Sequence, residues 1–412
     1  MTIESPRMTE LISVETALGH LKAVRPPPGT ETIPITDALN RVTAAPVHAK
    51  VSRPSAPVSA MDGYAVRLAD IKHAGARLNV IGEAPAGRPC NATVNKGEAV
   101  RIFTGSEIPS GADTVVIQEN VDRLNDEIVV RDAYHTVQHV RLAGRDFGVD
   151  DLILPKGSLI NAGGVSLLAA SNHERVSVYR KLRVGILANG DELKPPGSEL
   201  APGEIINSNP QGLAALIAQW GGEAVDLGIA KDSINAIQEK IRAAEQIDIF
   251  LPVGGASVGD HDHMKSAFQG LGFESVFSKI AVKPGKPTWL SKRHQQLALG
   301  LPGNPASAFV CAHLFLRPLI ETTMPNRFVP GVLTTPLSAN GKRETYLRAR
   351  LGISDSGVVE VSPVDDQDSS LITPFRDSDV LIQRLADAPA LNAGDIVKSL
   401  VIRDFLRGGS PG

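Results

Sequence analysis

Acids, glycines and lysines collect at the ends of apolar runs in the second half of the chain. The run 183–188 leads into Asn189-Gly190-Asp191-Glu192, 223–227 into Lys231-Asp232, and 296–301 into Pro302-Gly303-Asn304-Pro305. The run 247–251 leads into a longer loop that holds Gly254, Gly255, Ser257, Gly259, Asp260 and Asp262. Lys283-Pro284-Gly285-Lys286-Pro287 stands just ahead of Trp289. Glycines let a backbone approach a ligand where a Cβ would clash. A helix that follows such a loop turns its free N–H groups and positive dipole end back towards it, which suits a phosphate. Asp260 and Asp262 would repel a phosphate unless a cation sat between them. The loop therefore fits a phosphate together with a divalent metal, or else a tight turn with solvated acids.

Glu192, Asp232 and Asp262 are hard oxygen ligands suited to a Mg²⁺ that bridges to a phosphate. Each could instead cap a helix, Asp232 above all, because Ser233 opens a helical pattern. Lys283 and Lys286 flank a proline-stiffened turn and suit an oxyanion, or are solvated surface charges. His261 and His263 form a short H-x-H with no third ligand at a clear spacing, which favours a surface or capping role. Cys311 falls in a helical apolar pattern and reads as core. There is no Walker A lysine.

Strands alternating with helices must position these groups. Helices are expected over 210–220 with Asn209 as N-cap, over 233–244, from about 262, and over 305–320 with Asn304 as cap. This alternation predicts a doubly wound parallel sheet, whose ligands bind at the carboxyl ends of the strands. Residues 14–24 form an amphipathic helix capped by Ser13 and stopped by the prolines at 26–28, and 35–42 carries a shorter helical pattern. Short β-type runs at 78–81, 99–103, 114–118 and 128–130, separated by turns, make 51–149 a β-rich insertion. Strand-like runs at 332–333, 358–361 and 396–401 point to a small C-terminal β-barrel or sandwich. The expected domains are 1–25 with 178–327, 26–50 with 150–177, 51–149, and 328–407.

The chain has 412 residues, 42% hydrophobic and 21% charged, with a formal net charge of −3. That is enough for several globular domains, and it provides no basic field for nucleic acid. Two cysteines, Cys90 and Cys311, argue against a disulfide framework and for a cytoplasmic setting. No apolar run approaches the ~20 residues of a membrane span.

Seven ordered motifs give the chain a family resemblance. They are S-A-M-D-G-Y-A-V at 59–66, F-T-G-S at 103–106 with G-A-D at 111–113, G-R-D at 144–146, G-D-E-L at 190–193, G-G-A-S-V-G-D-H-D at 254–262, K-P-G-K-P at 283–287 and L-P-G-N-P-A-S-A-F at 301–309. In these the chain resembles the molybdopterin molybdenumtransferases, the family of bacterial MoeA proteins and the gephyrin E domain. It departs in Ala188-Asn189 where many relatives carry Ser-Thr, in Pro57-Val58 where they carry Asp-Asn, and in Ala256 where valine is usual.

The resemblance implies a homodimer of elongated four-domain subunits that transfers molybdate to adenylylated molybdopterin, requires Mg²⁺ and releases AMP. It implies catalytic roles for Asp62, Thr104 and Asp146 of one subunit, facing Glu192, Asp232 and Asp262 of the other, with the last three holding the metal. Cofactor binding would fall to Gly190, Asp191, Gly254, Gly255, Ser257, Gly259, Pro302, Gly303 and Asn304. Molybdate would meet Lys283, Lys286, Pro287, Ser369 and an arginine, Arg343 or Arg348. A molybdopterin adenylyltransferase and apo-molybdoenzymes would be transient partners. The alternatives are adenylyltransferase activity, or a non-catalytic scaffold of the same fold.

Overall fold

The computed structural model describes residues 11–254, 263–321 and 327–403. The chain divides into two compact units, one made of residues up to Gly29 together with those from Arg180 onward, the other of Thr30–Tyr179.

The first unit is built on a six-stranded sheet in the order Glu223–Ala230, Arg183–Asn189, Ile249–Val253, Gln296–Gly300, Trp289–Arg293, Glu274–Phe277. The first four strands are parallel, and Trp289–Arg293 runs against both of its neighbours. Along each central strand successive side chains enter opposite cores, as the period of two requires. Ile249, Leu251 and Val253 join Leu213, Ile217, Val310 and Leu314 on one face. Phe250 and Ala298 join Ile237, Ile241, Met264 and Phe268 on the other. Helices Asn209–Gln219 and Pro305–Cys311 thus cover one face, Ile234–Ala243 and His263–Gly270 the other, and the sheet is doubly wound. Helix Val14–Val24 adds Val14, Ala17 and Leu21 to the first face, with the Ser13 hydroxyl accepting from Thr16 N at 3.0 Å as its cap.

The C-terminal part of this unit is a closed five-stranded barrel of Phe328–Leu333, Glu344–Ile353, Val359–Pro363, Val380–Arg384 and Ile396–Val401. Two of these strands, Glu344–Ile353 and Val380–Arg384, are not signalled by simple alternation. In R-E-T-Y-L-R-A-R, Leu347 and Ala349 enter the barrel core while Tyr346 and Arg348 are buried on the opposite face, so no polar side alternates with the apolar one, and Arg348 is only 2% exposed despite its charge. A sixth, two-residue strand, Val282–Lys283, pairs in parallel with Glu344 and Thr345.

The second unit carries a sheet in the order Thr114–Ile117, Gly63–Val66, Glu98–Ile102, Ala76–Ala84, Glu127–Val130, Val121–Leu124. Residues 30–48 pair with 152–179 through Thr30–Pro34 on Arg175–Tyr179 and Val47–His48 on Leu152–Leu154. The helix expected at 35–42 is only a 3₁₀ turn, Ile35–Asp37. Asn40 sits at φ 61°, outside helical geometry, and Ala38 and Ile35 pack onto Ile160 and Leu168 without a further turn. No described helix is long and apolar enough to cross a membrane.

Candidate active site

In the parallel sheet the first strand in sequence, Arg183–Asn189, lies between the second, Glu223–Ala230, and the third, Ile249–Val253. The chain therefore leaves in opposite directions from adjacent strand ends, and the crevice where an α/β sheet binds ligands opens there. Its floor is backbone. A Cβ on Gly254 would come within 3.0 Å of Asn189 O, and Gly254 N donates to Leu301 O at 3.2 Å. The Asn209 amide nitrogen donates to Gly303 O at 2.7 Å. Asn209 is therefore not the helix cap expected of it: Ser208 stands at that position, and buried Asn209 ties the helix start to the Pro302-Gly303 loop. Pro302 is buried, while Gly303 and Asn304 are exposed.

The acids sit at the rim. The Glu192 carboxylate folds back over Gly190, where a Cβ would lie 2.6 Å from Oε2. Asp191 Oδ1 accepts from Asp232 N at 3.3 Å, which joins the two loops on either side of the crevice. Glu192 and Asp232 are both exposed. Asp232 is not a helix cap: that work is done by Ser233, whose hydroxyl accepts from Ala236 N. Asn189 offers no amide hydrogen to a phosphate. It is buried, and its nitrogen donates to the carbonyls of Lys231 at 3.3 Å and Ala230 at 3.5 Å. Gly255, Ser257, Gly259 and Asp262 lie outside the described residues. Among the described residues no three His, Cys, Asp or Glu side chains form a metal-binding group. Glu192 and Asp232 supply two hard oxygen donors that no helix end consumes.

The basic turn is held from beneath. Lys283 and Lys286 are exposed and Pro287 is half-buried. Gly285, at φ 118°, packs so closely on buried Cys311 that a Cβ would lie 2.1 Å from its sulfur. Burial pushes the Cys311 thiol up to about 12, so it stays a neutral packing group, accepting from the Thr288 hydroxyl at 3.1 Å. The two candidate arginines differ. Arg343 is half-buried and spends one nitrogen on Val282 O at 3.4 Å. Arg348 is buried, and its guanidinium donates to the carbonyls of Leu371, Asp366 and Asp368 and to the Gln367 side chain. Arg348 thus anchors the 366–371 loop, while Arg343 keeps donors to spare. That loop carries Ser369, whose hydroxyl accepts from the Asn304 amide at 3.0 Å and whose carbonyl accepts from Ala306 N at 3.0 Å. Asn304 accordingly makes no side-chain cap of its own.

In the second unit Asp62 and Thr104 meet. Asp62 Oδ1 accepts from Thr104 N and from Thr104 Oγ1, each at 2.8 Å. These bonds, the backbone one foremost, hold the Asp62 carboxyl below its ordinary range, with a smaller contribution from Arg101. Asp146 instead pairs with Arg53 at 3.6 Å.

Comparison with known proteins adds to this geometry. Residues 12–171 match the MoeA N-terminal region (domain I and II), 185–322 a probable molybdopterin binding domain, and 330–402 the MoeA C-terminal region (domain IV). A molybdopterin molybdenumtransferase of Nostoc sp. is 37% identical over 340 residues, 79% of this chain and 78% of the relative. The chain belongs to the molybdopterin molybdenumtransferase family. Another curated member, from Haemophilus influenzae, is 34% identical over 90% of this chain and 93% of its own. The structure of a molybdopterin biosynthesis MoeA protein from Pyrococcus horikoshii superposes with a TM-score of 0.84 at 28% identity, covering 96% of this chain and 100% of that one. As a molybdenumtransferase family member the chain is an enzyme of the transferase class with a role in molybdenum cofactor biosynthesis.

Sequence reading gives Asn209 only a capping role and does not single out Gln367 or Arg101. Asn209 was hidden by a Pro-after-Asn pattern that mimics a cap. Gln367 and Arg101 make contacts distant in sequence, which only the folded chain brings together.

Proposed function

We propose that the enzyme transfers molybdate to the dithiolene of adenylylated molybdopterin and releases AMP. The observation that carries this reading is the Asn304–Ser369 hydrogen bond, which joins the glycine loop at the sheet's carboxyl edge to the loop that carries the candidate oxyanion hydroxyl. A reaction between a phosphate-bearing pterin and an oxyanion needs those two surfaces next to each other. Molybdate is a dianion, and Lys283, Lys286 and Arg343 would neutralise it while the Ser369 hydroxyl orients it. Gly190, Gly254 and Gly303 would let backbone N–H groups approach the phosphates.

Glu192, Asp232 and Asp262 would hold Mg²⁺, which when bound polarises the phosphoanhydride that is cleaved. The exposed carboxylates of Glu192 and Asp232 suit that ion, since hard oxygen donors are its preferred ligands. A homodimer would bring Asp62, Thr104 and Asp146 of one copy to the acids of the other. Asp62, held ionised by Thr104, would then act as an acceptor that fixes the substrate. The cytoplasm is the compartment that fits two free cysteines and a soluble phosphorylated substrate.

The test is to incubate the protein with adenylylated molybdopterin, molybdate and Mg²⁺ and to follow AMP. AMP should appear only when all three are present. Release at the same rate without molybdate, or none with the complete mixture, would sink the proposal.

A further inference from the structure

We infer that Arg101 is a positioning residue for Asp62, a role that rests on the reading of Asp62 as a group that acts on the substrate. Asp62 and Thr104 come from different segments, and their carboxylate–hydroxyl pair forms only if the two are held in register. Arg101 reaches all the pieces that set this register. It lies opposite Tyr64 in the antiparallel pair of strands Gly63–Val66 and Glu98–Ile102. One of its guanidinium nitrogens donates to Gly63 O at 3.2 Å, directly after Asp62, and another to Gln118 Oε1 at 2.6 Å. Gln118 in turn donates its backbone N–H to Asp62 O at 3.1 Å. The guanidinium also lies over two rings, 5.0 Å from the Tyr64 centroid and 5.1 Å from that of Phe103, the residue before Thr104.

This planar group thus touches the residue after Asp62, the residue before Thr104 and the side chain of the residue that holds the Asp62 backbone. The backbone beneath leaves no slack, since a Cβ on Gly63 would lie 2.0 Å from Val116 O. Both Thr104 bonds fall on Oδ1 of Asp62, so Oδ2 remains as the second acceptor of a carboxylate whose orientation is fixed. A lysine could supply the charge here but neither the two-pronged donation nor the stacking between rings. Arg101 makes its bonds to Gly63 and Gln118, so its effect on the reaction passes through the placement of Asp62.

A double-mutant cycle on the full chain tests this, read as AMP release from adenylylated molybdopterin with molybdate and Mg²⁺. Arg101→Met should lower kcat by about tenfold while the KM for molybdate stays unchanged, because the oxyanion site is elsewhere. Arg101→Lys should recover only a small part of that loss. In an Asp62→Asn background Arg101→Met should cost nothing further. An equal loss from Arg101→Met in both backgrounds would overturn the inference, as would an unchanged kcat in Arg101→Met itself. If Asp62→Asn alone leaves kcat intact, the reading of Asp62 fails, and with it the role of Arg101. Should Arg101→Met melt below the assay temperature, Arg101→Lys carries the same cycle.

Discussion

Asp232 and Ser233 are adjacent, and either could have been the helix cap. The structure separates them, because the Ser233 hydroxyl accepts from Ala236 N while the Asp232 carboxylate stays at the crevice. Ser233→Ala should therefore lower stability by about 1 kcal/mol and leave AMP release intact. Asp232→Ala should leave the melting temperature within a degree or two of the parent, since surface changes away from caps cost ~0.5 kcal/mol or less, and should abolish AMP release. Paired melting and activity measurements decide between cap and site. His313 supplies a second prediction. It is buried edge-on to Trp220, and burial, with Arg317 nearby, holds its imidazole down at about 3. Between about pH 6.5 and pH 3 the unfolded chain takes up a proton that the folded one refuses, so stability falls as pH falls through that window. The slope from this one group is at most ~1.4 kcal/mol per pH unit. His313→Leu should flatten that part of the acid limb in a series of melts from pH 7 to pH 4. At this scale the residue types were legible in the sequence, but their competing roles were not. Neighbours such as Asp232 and Ser233, or Arg343 and Arg348, differ only in which bonds the fold lets them make.

Turns and loops show what holds those residues in place. Helix Pro305–Cys311 places its sulfur under the K-P-G-K-P turn, and Arg348, in the strand Glu344–Ile353, gathers the carbonyls of the Ser369 loop. Arg348→Met would leave those part-buried carbonyls without their donor, at roughly 1–3 kcal/mol. We expect a lower melting temperature together with a raised KM for molybdate, both absent in Arg350→Met, whose side chain is exposed and pairs with Asp377. A raised KM without any loss of stability would mean that Arg348 reaches the oxyanion itself. Periodicity made the strands and helices of the doubly wound sheet readable, since their buried positions recur at regular intervals. The barrel strand Glu344–Ile353 escaped because its outer face is buried too and holds an arginine, whose compensating carbonyls lie about twenty residues further on.

For the whole molecule, the insertion of 30–179 has a simple entry and exit. Arg180 N donates to Gly29 O at 2.7 Å, so the first unit closes on itself where the second begins. A chain that joins Gly29 to Arg180 through a short glycine–serine linker should fold and melt in one cooperative step, because domain insertions are tolerated at such crossings. It should release no AMP, having lost Asp62, Thr104 and Asp146. Calorimetry and the AMP assay check both halves. The short strand-like runs after residue 50 make the sheet of residues 63–130 readable in the sequence. The pairing of 30–48 with 152–179 was harder to read, because strands only two to five residues long carry little periodicity.

The two-residue strand Val282–Lys283 makes the barrel unlike the insertion in portability. The segment 30–179 enters and leaves at one hydrogen-bonded crossing, and evolution or an engineer could graft it as a cassette. The barrel instead borrows a strand from the α/β body, and the lender is the turn that bears Lys283 and Lys286. A barrel cut out at residue 327 would leave the edge of Glu344–Ile353 open at that point, and an open edge invites pairing with a neighbour. The body left behind would lose the partner that steadies its basic turn. Lineages that exchange this C-terminal region would therefore have to exchange, or re-fit, the oxyanion turn along with it.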